Sequence, residues 1–142
     1  MNKSRLTLND AAFAIYSGPA MACADEGYRL ALLLTLDETA AFESLSDAYE
    51  NLKFALDKIS NREDALLCVA KLIYEQAKDS KKTGSGKEFG LPVLDKLDIQ
   101  QRGAIGMIDL LGLTYEDATE AIGCEDSELV KFLASARSQL MS

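Results

Sequence analysis

The chain has 142 residues, of which 48% are hydrophobic and 27% charged, so it can bury a core and is not a disordered protein. Its formal net charge of −8 argues against a nucleic-acid partner, because Lys and Arg supply most of the affinity for phosphates. No apolar run approaches the roughly 18 residues of a membrane helix. The N-terminus reaches Asn9 and Asp10 before any hydrophobic run, so we expect no signal peptide and a soluble cytoplasmic protein.

Residues that commonly carry catalysis or bind metals are sparse. The chain has no histidine, and Cys23, Cys68 and Cys124 stand far apart, without the paired spacing of a zinc site. We interpret these cysteines as buried structural thiols. Because histidine is the commonest general base and the usual partner of a nucleophilic serine or cysteine, we expect no enzymatic activity, no metal and no cofactor.

Hydrophobic periodicity predicts four helices in the first half of the chain. They cover residues 6–16, 21–36, 37–56 and 62–78. The pair Gly18-Pro19 ends the first. The second is apolar without a break over residues 30–34, which favours a central position in the core. The third has a predicted core face formed by Ala41, Phe42, Leu45, Ala48, Tyr49, Leu52 and Leu56.

The composition changes after the fourth helix. Residues 79–90 belong to a basic stretch rich in Gly and Ser, which predicts an exposed, flexible linker. Its segment GSGK lacks the spacing of a phosphate-binding loop, and Glu88 follows Lys87 where such a loop requires Ser or Thr. We therefore predict an all-α protein of two small helical subdomains, residues 1–78 and 91–142, joined by this linker.

The second subdomain has the spacing of a helix-turn-helix. Helices are predicted over residues 99–111, 115–122 and 127–140. Thr114 can cap the middle helix, with Asp117 three residues later, and Gly123 stands where the C-cap needs a left-handed backbone. A three-helix core would be formed by Ala104, Ile108, Leu111, Leu113, Ala118, Ile122, Leu129, Leu133, Ala136 and Leu140. A unit of about fifty residues has a marginal core, so we expect it to pack on the first half or on a partner helix.

Residues 112–140, GLTYEDATEAIGCEDSELVKFLASARSQL, resemble region 4 of the extracytoplasmic-function sigma factors in the bacterial sigma-70 family. The matching residues are Gly112, Leu113, Tyr115, Glu116, Ala118, Glu120, Ile122, Gly123, Leu133, Ala136, Arg137 and Leu140. The first half is similar to region 2 of the same family. Its matching residues are Ala41, Asp47, Ala48, Tyr49, Leu52, Leu66, Leu67, Val69, Ala70 and Lys71.

The positions that read promoter DNA in this family are altered here. Where the resemblance implies basic residues on the recognition helix, the chain has Val130, Phe132 and Ser135, and only Arg137 remains. The start of that helix lies closest to the DNA groove in direct readout, and here it carries three carboxylates that would repel phosphates. These carboxylates also suit the positive end of a helix dipole.

Degenerate recognition helices of this kind resemble those of general-stress-response regulators, whose sigma-like part imitates a sigma factor and captures an anti-sigma factor. We therefore expect a transcription regulator that acts by protein contact, with an anti-sigma factor or an RNA polymerase subunit as its partner. The predicted partner-binding residues are Glu125, Asp126, Glu128, Lys131, Phe132 and Ser135. For Phe132 and Val130, the edge of the core and an exposed interface are both open interpretations.

The alternative hypothesis is a functional DNA-binding sigma factor that directs transcription initiation. Its promoter contacts would come from Arg102, Lys131 and Arg137, together with the lysines of the linker. Promoter binding with a steep salt dependence would favour this alternative, because basic side chains release counterions from DNA.

Overall fold

A computed structural model describes residues 18–80 and 84–141. Regular secondary structure in these residues is entirely helical, without a β-strand, which confirms the all-α class for this part of the chain. No helix within it is long and apolar enough to cross a membrane. The predicted helix over residues 6–16 lies outside the described residues.

The first half is formed by α1 (Ala24–Thr35), α2 (Glu38–Leu52) and α3 (Arg62–Lys78), each of which packs against the other two. A 3-10 turn at Met21–Cys23 leads into α1, and another at Leu56–Lys58 precedes α3. The predictions for residues 21–36 and 62–78 are confirmed, whereas the helix predicted to reach residue 56 ends at Leu52.

Local hydrogen bonds set the ends of these helices. The Leu36 backbone is left-handed, with φ 56°, and its N–H donates to the last turn of α1. Asp37 caps α2, because its carboxylate accepts a hydrogen bond from the Ala40 N–H at 2.8 Å. Asn61 caps α3 in the same way, by accepting the Asp64 N–H at 2.8 Å.

The second half is formed by α4 (Ile99–Ile105), α5 (Tyr115–Ile122) and α6 (Asp126–Met141). α4 continues as a π-helical turn at Gly106–Leu110, within the helix that the sequence predicts over residues 99–111. α6 packs against both α4 and α5. The three helices lie where the periodicity predicts them.

Capping explains why the second half breaks into three helices. Asp98 and Gln101 form a reciprocal capping box at the start of α4. Thr114 caps α5 by accepting the Asp117 N–H at 3.1 Å, and Gly123 ends α5 with a left-handed φ of 80°. The predictions for Thr114 and Gly123 are therefore confirmed.

The buried side chains form one core that extends through both halves. α3 packs on α5, and α1 packs on α4 and its π-helical turn. Two glycines let α4 approach its neighbours: a Cβ at Gly103 would lie 2.9 Å from the Tyr74 ring, and one at Gly106 would lie 2.6 Å from Leu30 Cδ1. This shared core does not confirm two separate subdomains, and the boundaries at residues 78 and 91 stay predictions.

The predicted linker is partly folded where the structure describes it. The Gly84 N–H donates to the Thr35 carbonyl at 2.9 Å, and a 3-10 turn follows at Gly86–Phe89. Gly86 is buried, and a Cβ there would lie 2.2 Å from the Leu91 carbonyl oxygen. These contacts hold the segment against the end of α1, whereas its composition predicted full exposure.

Phe42 departs from the predicted core face of α2. Ala41, Ala48 and Leu52 are buried as expected, but Phe42 is 63% exposed. Successive residues of a helix are rotated by about 100° around its axis. Phe42 therefore points away from the buried face that contains Ala41, Ala48 and Leu52. On α6, Leu140 is likewise exposed although the sequence predicted it in the core.

Candidate functional site

The acidic first turn of α6 lies at the surface. Glu125, Asp126 and Glu128 are all exposed. The Glu128 carboxylate accepts a hydrogen bond from the Glu125 backbone N–H at 3.1 Å, which is one half of a capping box. Glu128 therefore stabilises the start of the helix, and Asp126 adds the negative charge that the helix dipole favours.

The other predicted partner-binding residues of α6 differ in their surroundings. Phe132 is half-buried and packs against the core, whereas Lys131 is exposed. Ser135 is also exposed, and its hydroxyl accepts a hydrogen bond from Gln101 Nε2 of α4 at 2.7 Å. Val130 is 51% exposed. Of the two apolar residues whose role the sequence left open, Phe132 belongs to the edge of the core and Val130 to the surface.

Arg102, which the DNA-binding alternative assigns to a promoter contact, instead forms hydrogen bonds within the protein. Its guanidinium donates to the carbonyl of Leu97 and, at 3.0 Å, to the carbonyl of Leu34. Burial lowers the pKa of Arg102, and the nearby Asp98 and Asp95 oppose this shift. Arg102 thus joins the end of α1 to the start of α4, and its position does not suit a phosphate contact.

Two other cations of that alternative lie on α6; of its linker lysines, Lys87 is exposed, and Lys81 and Lys82 lie outside the described residues. Arg137 donates to both carboxylate oxygens of Asp109, at 3.1 and 2.6 Å, and these bonds raise the pKa of Arg137. Lys131 is exposed, and no ion pair to it is found within residues 18–80 and 84–141. A single unpaired lysine beside an acidic helix start does not form the basic stripe that duplex DNA requires.

An apolar groove of about 450 Å³ opens between the two halves. Its walls come from α1, from the segment that joins the halves, and from α4 with its π-helical turn. The apolar lining residues are Leu32, Leu33, Leu36, Phe89, Leu91, Leu94, Ile105 and Leu110. Arg29 and Asp109 complete the lining. Binding sites in proteins commonly have volumes of roughly 300–1,000 Å³.

α1 contributes one of its faces to the groove. Arg29, Leu32 and Leu33 are spaced i, i+3 and i+4, and Leu36, the C-cap residue of α1, continues this lining. Leu30 lies in the core, on a different face of α1. The apolar run predicts a central position in the core, and Leu30, Ala31 and Leu34 are buried as expected, whereas Leu32 and Leu33 line the groove.

The segment that joins the halves forms the opposite wall. Its shape is held by Asp95, whose carboxylate accepts the Gly86 N–H and the Ser85 hydroxyl, both at 2.9 Å. These hydrogen bonds, that of Gly86 first, lower the pKa of Asp95. Leu91 and Phe89 therefore project from an ordered turn rather than from a flexible linker.

The π-helical turn supplies the end of the groove. A π turn widens a helix locally and is often found at functional sites. Here it places Leu110, which is 43% exposed, in the groove lining. Asp109 lies beside it and is paired with Arg137 of α6, so the rim of the groove is tied to the last helix.

The thiols do not form a reactive site. Cys23 is buried as predicted, while Cys68 and Cys124 are partly exposed, and all three are free. Burial raises the pKa of each thiol, which disfavours the reactive thiolate. No cluster that could hold a metal ion is found in the part of the chain that the structure describes.

The groove lies in a strongly acidic body. Residues 18–80 and 84–141 carry 11 Lys and Arg side chains against 22 Asp and Glu side chains. Comparison of the chain with protein-family models, with curated proteins and with solved structures found no match. The fold, the groove and the charge are therefore the observations from which a function is inferred.

Proposed function

We propose that the protein is a sigma-factor-like transcription regulator that acts by protein contact, with weak or no DNA binding. Its partner is an anti-sigma factor or a protein associated with RNA polymerase, and a helix of this partner binds in the apolar groove. The groove carries the proposal, because it lies between the two parts of the chain that resemble sigma regions 2 and 4.

The form of the groove supports a helix as its occupant. The lining from Arg29 of α1 to the C-cap residue Leu36 extends over about 10 Å. Recognition of a helix in a groove depends on apolar anchors at intervals of three and four residues, and this face offers the matching surface. Leu91 and Leu110 remain exposed at the groove, and exposed apolar patches commonly mark protein-binding surfaces.

The overall charge of the described residues supports a basic partner. The twofold excess of acidic over basic side chains in the described residues would attract a helix whose polar face carries Lys or Arg. Asp109, the acidic residue of the groove lining, is already paired with Arg137. The attraction therefore comes from the overall acidic charge, and the groove itself contributes apolar contact.

The placement of the cations supports weak or no DNA binding. Arg102 donates to backbone carbonyls, and Arg137 is neutralised by Asp109. The recognition helix begins with exposed carboxylates at the end that would approach the bases. These features disfavour the alternative of a promoter-reading sigma factor.

The proposal is tested with two matched variants of the full chain. Leu110→Asp places a charge in the groove, and Val130→Asp places the same charge on α6, outside the groove. Both residues are about half exposed, so each variant should fold. When tagged proteins are used to recover partners from the native cell extract, we expect the wild type and Val130→Asp to retain a helical anti-sigma protein or polymerase subunits. Leu110→Asp should lose them.

Two other results would contradict this proposal. Loss of the partner with Val130→Asp but not with Leu110→Asp would place the binding surface on α6. Sequence-selective binding of the purified chain to duplex promoter DNA at physiological salt, with a steep salt dependence, would support the DNA-binding sigma factor instead.

A further inference from the structure

The two ends of the groove differ, because α1 and α4 run antiparallel along it. Arg102, in the middle of α4, donates to the Leu34 carbonyl near the end of α1. A Cβ at Gly106, about one turn further along, would lie 2.6 Å from Leu30 Cδ1 and 3.1 Å from Leu33 Cδ2, nearer to the start of α1. The π-helical turn that begins at Gly106 therefore extends toward the start of α1.

The end of the groove nearer the start of α1 carries a positive charge. Arg29 of α1 and Asp109 of the π-helical turn both line the groove. Asp109 is paired with Arg137, which offsets its charge. Arg29 is exposed, and no ion pair to it is found within residues 18–80 and 84–141. Among the described lining residues and their ion-pair partners, the charge that is left at this end is therefore that of Arg29.

The end of the groove at the C-terminus of α1 is apolar. The Gly84 N–H donates to the Thr35 carbonyl at 2.9 Å, which brings the segment that joins the halves to this end. Leu36 and Phe89 line the groove here. Of the ten described residues that form the lining, Arg29 is the only cation. The positive charge of the lining is thus confined to one end.

A helix that binds in such a groove also has two different ends. Its first N–H groups and its last carbonyl groups lack partners within the helix, and they give each end a partial charge of about half an elementary charge. A cation stabilises the negative, C-terminal end and destabilises the positive, N-terminal end. The two orientations of a helix in the groove therefore differ in free energy through Arg29.

We propose that Arg29 fixes the orientation of the partner helix, whose C-terminal end lies at Arg29 and whose N-terminal end lies at Phe89. The partner helix then runs antiparallel to α1, with its apolar anchors on Leu32 and Leu33. A partner with Asp or Glu in its last turn is preferred, because that carboxylate pairs with Arg29. The inference rests on the proposed function, since it takes the groove to be a helix-binding site.

Two designed peptides of identical composition test the orientation. Both are amphipathic helices of Leu and Lys with blocked ends. The Glu-last peptide has Lys in its first turn and Glu in its last turn, and the Lys-last peptide has the reverse. Their affinities for the full chain are measured by fluorescence anisotropy at low salt, because salt screens exposed charges. The ratio of the two affinities is then compared between variants, so that any difference in the helicity of the peptides cancels.

Arg29→Glu should change this ratio by about tenfold in favour of the Lys-last peptide. Lys71→Glu makes the same charge change at an exposed position of α3 outside the groove lining, and it should leave the ratio as in the wild type. An unchanged ratio in Arg29→Glu would overturn the proposal. A change in favour of the Glu-last peptide would also overturn it, because the helix would then bind in the opposite orientation.

A second measurement reports the orientation without a change of charge. Because the chain has no tryptophan, Phe89→Trp places a single fluorescent indole at the apolar end of the groove. A nitroxide attached to the N-terminus of the Glu-last peptide should quench this fluorescence more strongly than a nitroxide attached to its C-terminus. Equal quenching, or stronger quenching from the C-terminus, would contradict the proposed orientation.

Leu110→Asp separates failure of this inference from failure of the proposed function. If Leu110→Asp blocks both peptides while Arg29→Glu leaves their ratio unchanged, the groove binds helices and only the orientation is wrong. If the wild type binds neither peptide, or if Leu110→Asp binds both as the wild type does, the groove is not a helix-binding site and both proposals fail.

Discussion

The two halves of the molecule meet along two seams that differ in how completely they are filled. At the closed seam, between α3 and α4–α5, the Tyr74 ring and the Ile122 side chain both lie against Gly103, and all three residues are buried. At the open seam, between α1 and α4, Leu33 is partly exposed and Leu110 is half exposed. The same helix, α4, thus takes part in a filled contact and in an open groove.

We interpret the closed seam as a contact that stabilises the fold and the open seam as a surface for binding. A filled contact excludes water from all of its apolar surface and stabilises the fold. An open apolar groove leaves part of that stabilisation to be gained when a ligand binds. If this division is correct, substitutions at the closed seam should affect mainly unfolding, and those at the open seam mainly binding.

The largest expected effect is at the closed seam. Tyr74→Ala removes a ring that is 4% exposed and leaves a cavity, so we expect the free energy of unfolding to fall by about 3 kcal/mol. Leu110→Ala is the control at the open seam, with an expected change below about 1 kcal/mol. Chemical denaturation monitored by circular dichroism measures both, and equal losses would remove the distinction between the seams.

An intermediate effect is expected where Arg102 joins the halves. Arg102→Met keeps the aliphatic stem but removes the hydrogen bonds to the Leu34 and Leu97 carbonyls, so we expect a loss of about 2 kcal/mol in unfolding free energy. Arg29→Met, at the exposed rim of the groove, should change it by less than about 0.5 kcal/mol. If Arg102→Met and Arg29→Met had the same unfolding free energy in denaturation experiments, the hydrogen bonds of Arg102 would not stabilise the contact between the halves.

The smallest effect is expected at the outer wall of the open seam. Hydrogen bonds from Gly86 and Ser85 lower the pKa of Asp95 in the folded protein. The ionised Asp95 therefore stabilises the folded protein at a pH above about 3.9, the pKa of this carboxyl in the unfolded chain. This contribution is lost as the pH falls through the lower pKa of Asp95 in the folded protein. We expect Asp95→Asn to lower the melting temperature at neutral pH, with the difference from the wild type vanishing in acid.

Thermal melts across this pH range measure the difference. Ser85→Ala removes one of the two donors to Asp95 and should reproduce part of the effect. A difference between Asp95→Asn and the wild type that does not change with pH would show that the ionised carboxylate does not stabilise this wall.

The secondary structure was largely predictable from the sequence, and the candidate site was not. The caps at Thr114 and Gly123 were predicted from the sequence, because a helix cap depends only on residues three or four positions away. The sequence predicted a binding surface on α6, which stays a prediction, and it did not predict the groove that α1 lines together with the π-helical turn. Periodicity reveals which face of a helix is apolar, but it does not reveal which neighbour covers that face.

The amino-acid sequence by itself determined the all-helical class of the described residues and the bounds of most of their helices, because these depend on contacts within one or two helical turns. Only the tertiary structure decided that Arg102 turns inward to the carbonyl of Leu34, 68 residues earlier in the chain. The groove likewise needs α1, the turn at Gly86–Phe89 and the π-helical turn to meet. Contacts between distant segments depend on how the helices pack, and the local pattern of a helix does not identify the distant segment that packs against it.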